Sequence, residues 1–125
     1  KALKILKQYL RPKLIIYKIL RADEWAYLRD NGKSKGAPID IKDGYIHFST
    51  AETVVETAIK YFKNEDDLML LAFNDTDLGK NLIYEKSRGD LLFPHLYDEL
   101  SLDDALWIKP LPSKENSHVF PEDLK

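Results

Sequence analysis

An α+β fold is what the sequence predicts, and three observations carry that prediction. Several short apolar runs are rich in β-branched and aromatic residues, as strands are. One stretch, from Ala51 to Phe62, repeats its apolar residues at helical spacing. The order of these segments is irregular and lacks the strict strand–helix alternation of a doubly wound sheet. At 125 residues the chain has the length of one domain. We expect a single domain over residues 14–125, preceded by a separate helix over 1–13.

The elements follow in order along the chain. Residues 1–13 carry Lys1, Lys4, Lys7, Arg11 and Lys13 with no acid, while Ala2, Ile5, Leu6 and Tyr9 fall at helical spacing up to Pro12. This reads as a basic amphipathic helix, able to pack on the domain or to touch an anionic lipid surface weakly. Leu14 to Leu20 is too short for a free helix and too β-branched, so it predicts a buried strand. Asp23 begins a helix, Trp25 and Leu28 share its face, and Asn31-Gly32 ends it. Lys33 to Asp43 holds glycines, lysines and Pro38 and reads as a long surface loop.

Tyr45 to Thr50 predicts a second strand, leading directly into the helix of residues 51–62, with Ser49-Thr50-Ala51-Glu52 matching a capping box. Leu68 to Phe73 and Leu82 to Lys86 are strands separated by polar turn material. Pro94 interrupts the apolar run Leu91 to Leu96, which argues for an edge or irregular segment. Ser101 is placed to cap a short helical turn, and Leu106 to Ile108 is a last strand ended by Pro110 and Pro112.

Composition limits function. The chain is 44% apolar and 32% charged, as folded domains are, and its net charge of -2 provides no general field for nucleic acid. The absence of cysteine removes disulfides, thiolate zinc sites and cysteine nucleophiles, and fits a reducing, cytoplasmic compartment. No apolar run approaches the roughly 20 residues that span a bilayer. No Gly-rich dinucleotide or Walker loop, HExxH or nucleophile elbow is present. Three histidines without close ligand spacing argue against a metal.

The chemistry concentrates on Tyr45-Ile46-His47-Phe48-Ser49-Thr50. Alternation sends Ile46 and Phe48 to the core and aligns Tyr45, His47 and Ser49 on the other face, where three polar groups need a cleft or partners. Thr50 leads to the helix, whose N-terminus can meet an anion. Ser49 fits capping ahead of ligand contact, though the two are compatible, and a lone histidine such as His47 is more often structural than catalytic. Phe93-Pro94-His95-Leu96-Tyr97 is the second constellation: His95 and Tyr97 share a side as donor or acid and aromatic wall, or else His95 bonds backbone while Phe93 and Leu96 anchor a loop. Lys18 is the sole charge of its strand, so it must reach water at an edge, a carboxylate or a ligand. Glu85 shares a face with Ile83, as a paired structural group or the acid of a site.

Taken together, Ile16-Tyr17-Lys18-Ile19, Asp23-Glu24-Trp25, Gly44 to Thr50, Tyr84-Glu85 and Phe93 to Tyr97 resemble the small bacterial proteins of domain-of-unknown-function family 952, from about Leu14 to Pro121. The resemblance implies an ADP-ribosyltransferase-like fold, a split and curved β-sheet with flanking helices and NAD bound between its halves. It also implies Ser49 and Thr50 as a serine–threonine motif and Glu85 as the match to a catalytic acid. Lys18 stands where the family usually has histidine, and Asp98 where a glycine usually follows the Phe-Pro-His-Leu-Tyr motif. The expected function is binding of NAD or an ADP-ribose-like nucleotide, with transfer or hydrolysis of its ADP-ribosyl group. In that reading His47, Glu85 and His95 are catalytic, and Lys18, Tyr45, Ser49, Thr50 and Tyr97 bind the ligand. The alternatives are a non-catalytic nucleotide- or peptide-binding module and, last, a metal-dependent hydrolase using the histidines.

Overall fold

The computed structural model describes residues 13–124, so all but Lys13 of the expected basic helix lies outside the described residues. The strands are β1 (Ile15–Leu20), β2 (Lys33–Ser34), β3 (Ile46–His47), β4 (Ser49–Thr50), β5 (Leu68–Asn74), β6 (Leu82–Lys86), β7 (Leu92–Leu96), β8 (Leu100–Ser101), β9 (Ala105–Leu111), β10 (Ser113–Lys114) and β11 (Ser117–His118). The helices are α1 (Ala22–Asn31), α2 (Pro38–Asp43) and α3 (Val54–Tyr61). All strand pairing among them is antiparallel, which makes the molecule a mixed α+β domain.

A four-stranded sheet, ordered β4-β1-β5-β9, is buried on both faces. Alternation divides its residues between two cores: Ile16, Leu20, Leu71 and Phe73 face one, while Tyr17, Ile19, Leu70 and Ala72 face the other. Burial on both sides explains why β1 and β5 read as continuous apolar runs. Helix α1 covers the first core with Trp25 and Leu28, and α3 covers the second with Val54 and Ala58. A three-stranded sheet, ordered β3-β7-β6, packs Ile46 and Leu96 into the first core. Among the described residues, no helix is long and apolar enough to cross a membrane.

Several expectations are corrected. The strand expected from Tyr45 to Thr50 is broken at Phe48: Ile46 and His47 pair with β7, whereas Ser49 and Thr50 pair with β1. The chain thus passes from one sheet to the other within this segment. The capping box does not form, because α3 starts only at Val54 and Ser49 lies in a strand; the Thr53 hydroxyl accepts from the Thr50 N–H instead. Residues 33–43 are no loop but contain β2 and α2, with Pro38 in the first turn and Gly44 in the left-handed conformation that closes the helix.

Pro94 sits in the central strand of the smaller sheet and not at an edge. Its carbonyl accepts from the Phe48 N–H at 3.0 Å. A strand residue directs N–H and C=O to the same side, so the missing N–H falls where the neighbouring chain already departs for the other sheet. Strand β9 continues through Pro110, which an edge position permits. Ser101 precedes a short 3-10 turn at Leu102–Asp104 as expected, but its side chain makes no capping bond.

Candidate functional site

Strand β4 covers only Ile16 and Tyr17 of β1, so the edge of β1 is open from Lys18 onward. There the two sheets part, and a cavity of about 640 Å³ opens between them. Its walls include Lys18 and Ile19 of β1, Asp40 and Asp43 of α2, Tyr45, His47 and Ser49, Thr57 and Tyr61 of α3, and Phe93 and His95 of β7. That volume lies within the range of small-molecule sites.

Asp40 organises one wall. Its carboxylate is buried and accepts from Lys18 Nζ at 2.8 Å, the Ala37 N–H at 2.7 Å, the His47 N–H at 3.0 Å and His47 Nδ1 at 2.6 Å. Burial alone pushes this carboxyl up, but the His47 hydrogen bond and the Lys18 ammonium outweigh it and hold Asp40 at about 2. Lys18 also donates to the His47 carbonyl at 2.8 Å. Lys18 therefore neither reaches water at an edge nor stands ready for an anion, because its anion is Asp40. The other ring nitrogen of His47, Nε2, lies 3.0 Å from Asp43 Oδ2. Asp40 thus holds Nδ1 by a hydrogen bond, while Asp43 stands beside Nε2 as an ion-pair neighbour.

His95, the cross-strand partner of His47 with ring centroids 5.5 Å apart, carries a different group. Glu85 Oε1 accepts from the Tyr97 hydroxyl at 2.6 Å and from His95 Nδ1 at 2.9 Å. The bonds from Tyr97 and then His95 lower the Glu85 pKa, while Glu85 raises that of Tyr97 to about 12. An ionised carboxylate only accepts, so Nδ1 of His95 carries the proton and Nε2 keeps its lone pair in the neutral ring. His95 borders the cavity, whereas Glu85 and Tyr97 stand outside its lining.

Tyr45 packs against both histidines. Its ring lies 4.1 Å from that of His95, 4.6 Å from that of His47 and 5.2 Å from that of Tyr97, centroid to centroid. Burial first, then the nearby Asp43 and Glu85 charges, raise its pKa and keep it a neutral phenol. Of the residues singled out in the sequence, Lys18, Tyr45, His47, Ser49 and His95 line the cavity, Glu85 and Tyr97 back His95, and Thr50 turns toward Thr53. Asp98, standing at the position of the expected glycine, has no positive φ and bonds Asn81 and the Glu99 N–H.

Sequence reasoning missed Asp40, Asp43, Thr57 and Arg88. A signal for Asp40 existed: a central strand lysine demands a carboxylate, and Pro38 with Gly44 marks a short helix around it. Among the described residues no group of three or more His, Cys, Asp or Glu side chains is arranged to hold a metal ion.

Comparison with known proteins gives the family. No curated protein matches the chain. The X-ray structure of protein CC0527 from Caulobacter crescentus is similar at 38% identity, covering 83% of this chain and 91% of that one, with a TM-score of 0.80. The solution NMR structure of CC0527 gives 38% identity, 83% and 90% coverage and a TM-score of 0.74. The family described as protein of unknown function (DUF952) matches residues 19–108, and the chain belongs to that family.

Proposed function

We propose that the cleft between the two sheets binds NAD or an ADP-ribose-like nucleotide and that His95, oriented by Glu85, hydrolyses or transfers its ribosyl bond. The observation that carries this reading is the His95–Glu85 pair beside the Tyr45 ring at the wall of a small-molecule cavity. A histidine that borders a cavity and has Nδ1 held by a carboxylate is the arrangement of a general base. Tyr45 offers a face on which a flat ring or a cationic pyridinium can stack.

In the hydrolytic form a water attacks the ribosyl C1′, and the C1′–N bond breaks with its electron pair passing to the nicotinamide ring nitrogen. His95 Nε2 takes the proton of the attacking water, and Glu85 stabilises the imidazolium that results. Glu85 is then a positioning residue, since His95 stands between it and the cavity. Transfer follows the same course with an acceptor hydroxyl or amine in place of water.

A second reading, a binding module without chemistry, is favoured by one observation: Lys18 and Nδ1 of His47 are both engaged by Asp40. One titration and one assay separate the two. Amide NMR spectra recorded with NAD and ADP-ribose should shift residues 45–49 and 93–97, and silence at millimolar ligand rejects both nucleotide readings. If binding occurs, nicotinamide release should fall by about a hundredfold in His95→Ala and in Glu85→Gln. Glu85→Gln should also change the pH profile, because a neutral amide no longer fixes the charge on the imidazole. Binding with no nicotinamide release by the unmodified chain leaves the module.

A further inference from the structure

Three cations line the cavity, and two are matched by carboxylates: Lys18 by Asp40, and Arg21 by Glu65 at 2.7 and 3.1 Å. The third, Arg88 in the turn between β6 and β7, has no hydrogen-bonded carboxylate, only a long ion pair to the largely exposed Glu56. Its Nη2 donates to Thr57 Oγ1 at 2.8 Å, and its guanidinium lies over Phe93 at 4.7 Å and Tyr61 at 5.6 Å. Its Nη1 is buried and makes no hydrogen bond. Glu56 Oε1 stands 3.7 Å from it, beyond hydrogen-bonding range. A buried guanidinium nitrogen without an acceptor is costly, and such orphans in native proteins call for an explanation.

Thr57 points to the same answer. Its oxygen accepts from Ser49 Oγ at 3.2 Å and from Arg88 Nη2 at 2.8 Å. A hydroxyl has two lone pairs and one proton, so with both pairs occupied Thr57 can only donate. Arg88 and Thr57 are therefore a charged and a neutral donor, side by side on α3 and the β6–β7 turn, both bordering the cavity. The matching ligand group is a multidentate anion, and a phosphoryl group suits the guanidinium fork.

Strand β7 sets the distance from this point to His95. Phe93, under Arg88, and His95, against Tyr45, are two residues apart on the same side, so they lie about 7 Å from each other along the strand. A phosphorylated pentose bridges such a gap. We propose that Arg88 and Thr57 form the anion end of the cleft, taking a phosphoryl group of a sugar phosphate or nucleotide whose sugar lies against Tyr45 and His95. This rests on the nucleotide reading for the sugar end, while the anion end stands on Arg88 and Thr57 alone.

Calorimetry and amide NMR on the whole chain with pyrophosphate, ribose 5-phosphate, ADP-ribose and adenosine test this. Pyrophosphate should shift the amides of residues 57 and 87–89. Arg88→Gln should weaken pyrophosphate, ribose 5-phosphate and ADP-ribose by about tenfold to a hundredfold and leave adenosine unchanged. Arg88→Lys should recover only part of the loss, since a point charge replaces the fork. Thr57→Val, which keeps the shape of the side chain, should weaken the same ligands and serves if Arg88→Gln does not fold. Ribose 5-phosphate binding as tightly as ADP-ribose identifies a sugar phosphate as the source, and tighter ADP-ribose identifies a nucleotide. Wild-type affinity for the phosphorylated ligands in Arg88→Gln, or no pyrophosphate response at residues 57 and 87–89, overturns the proposal. Pyrophosphate binding without ADP-ribose binding rejects the nucleotide reading and keeps the anion end, so the two failures are distinct.

Discussion

Asp40 shows how one side chain can decide the chemistry of a site. It neutralises Lys18, fixes the His47 ring and accepts the N–H of Ala37, the residue that caps α2. Removing its charge leaves a buried ammonium without a countercharge, so Asp40→Asn should lower stability by about 3–5 kcal/mol in urea unfolding. The pH dependence follows from the same carboxylate. Its folded-state pKa, about 2, lies below its ordinary 3.8, so the unfolded chain takes up the proton first. The stabilisation is complete above about pH 4, falls between pH 4 and pH 2 and is gone below, and amounts to roughly 2 kcal/mol. Wild-type stability should therefore drop more steeply than that of Asp40→Asn across this window, and parallel curves would refute the assignment. From the sequence, Lys18 announced a need for a partner but not which one. Asp40 lies 22 residues away, and sequence separation of that size carries no local pattern.

At the scale of elements, the strongest periodic signals were legible and the short ones were not. β1 follows from its β-branched and aromatic run, and β5 from a continuous apolar run, because burial on both faces writes itself into composition. The break at Phe48 was invisible, since alternation through Tyr45 to Thr50 is the same whether the strand keeps one neighbour or changes it. Helix α2 was hidden by its length of six residues, too short for a helical period. Its approach also needs Gly36, which has φ of 91°, and a Cβ there would sit 2.3 Å from Asp40 Oδ2. Gly36→Ala should therefore cost about 2 kcal/mol or more and disturb the His47 imidazole resonances as Asp40 is displaced. Gly32, with φ of 78° in the left-handed region and open space around it, provides the contrast: Gly32→Ala should cost about 1 kcal/mol and leave those resonances in place. Equal effects of the two substitutions would argue that backbone strain alone, and not the approach to Asp40, requires Gly36.

Among the described residues, the two larger sheets meet at Phe48 and part at a cleft beside it. Phe48 donates its N–H to Pro94 of the smaller sheet and sets its ring edge-on to Phe73 of the larger one, with centroids 5.5 Å apart at 88°. The cavity draws its walls from both sheets: Lys18 and Ile19 come from one, Phe93 and His95 from the other. A ligand spanning the Arg88 and Tyr45 ends touches both, so it stabilises the folded state of both together. A ligand at about a hundred times its dissociation constant adds roughly 2.7 kcal/mol to the stability of whatever unit binds it. The slowest-exchanging amides of β5 and of β7 should therefore both slow by about a hundredfold when ADP-ribose is added at that excess. Hydrogen exchange followed by NMR measures each sheet separately, and Arg88→Gln at the same ligand concentration should reduce the slowing in both by a common factor. Slowing confined to β5 or to β7 would mean that the sheets open independently and that the ligand sits on one of them, not between them.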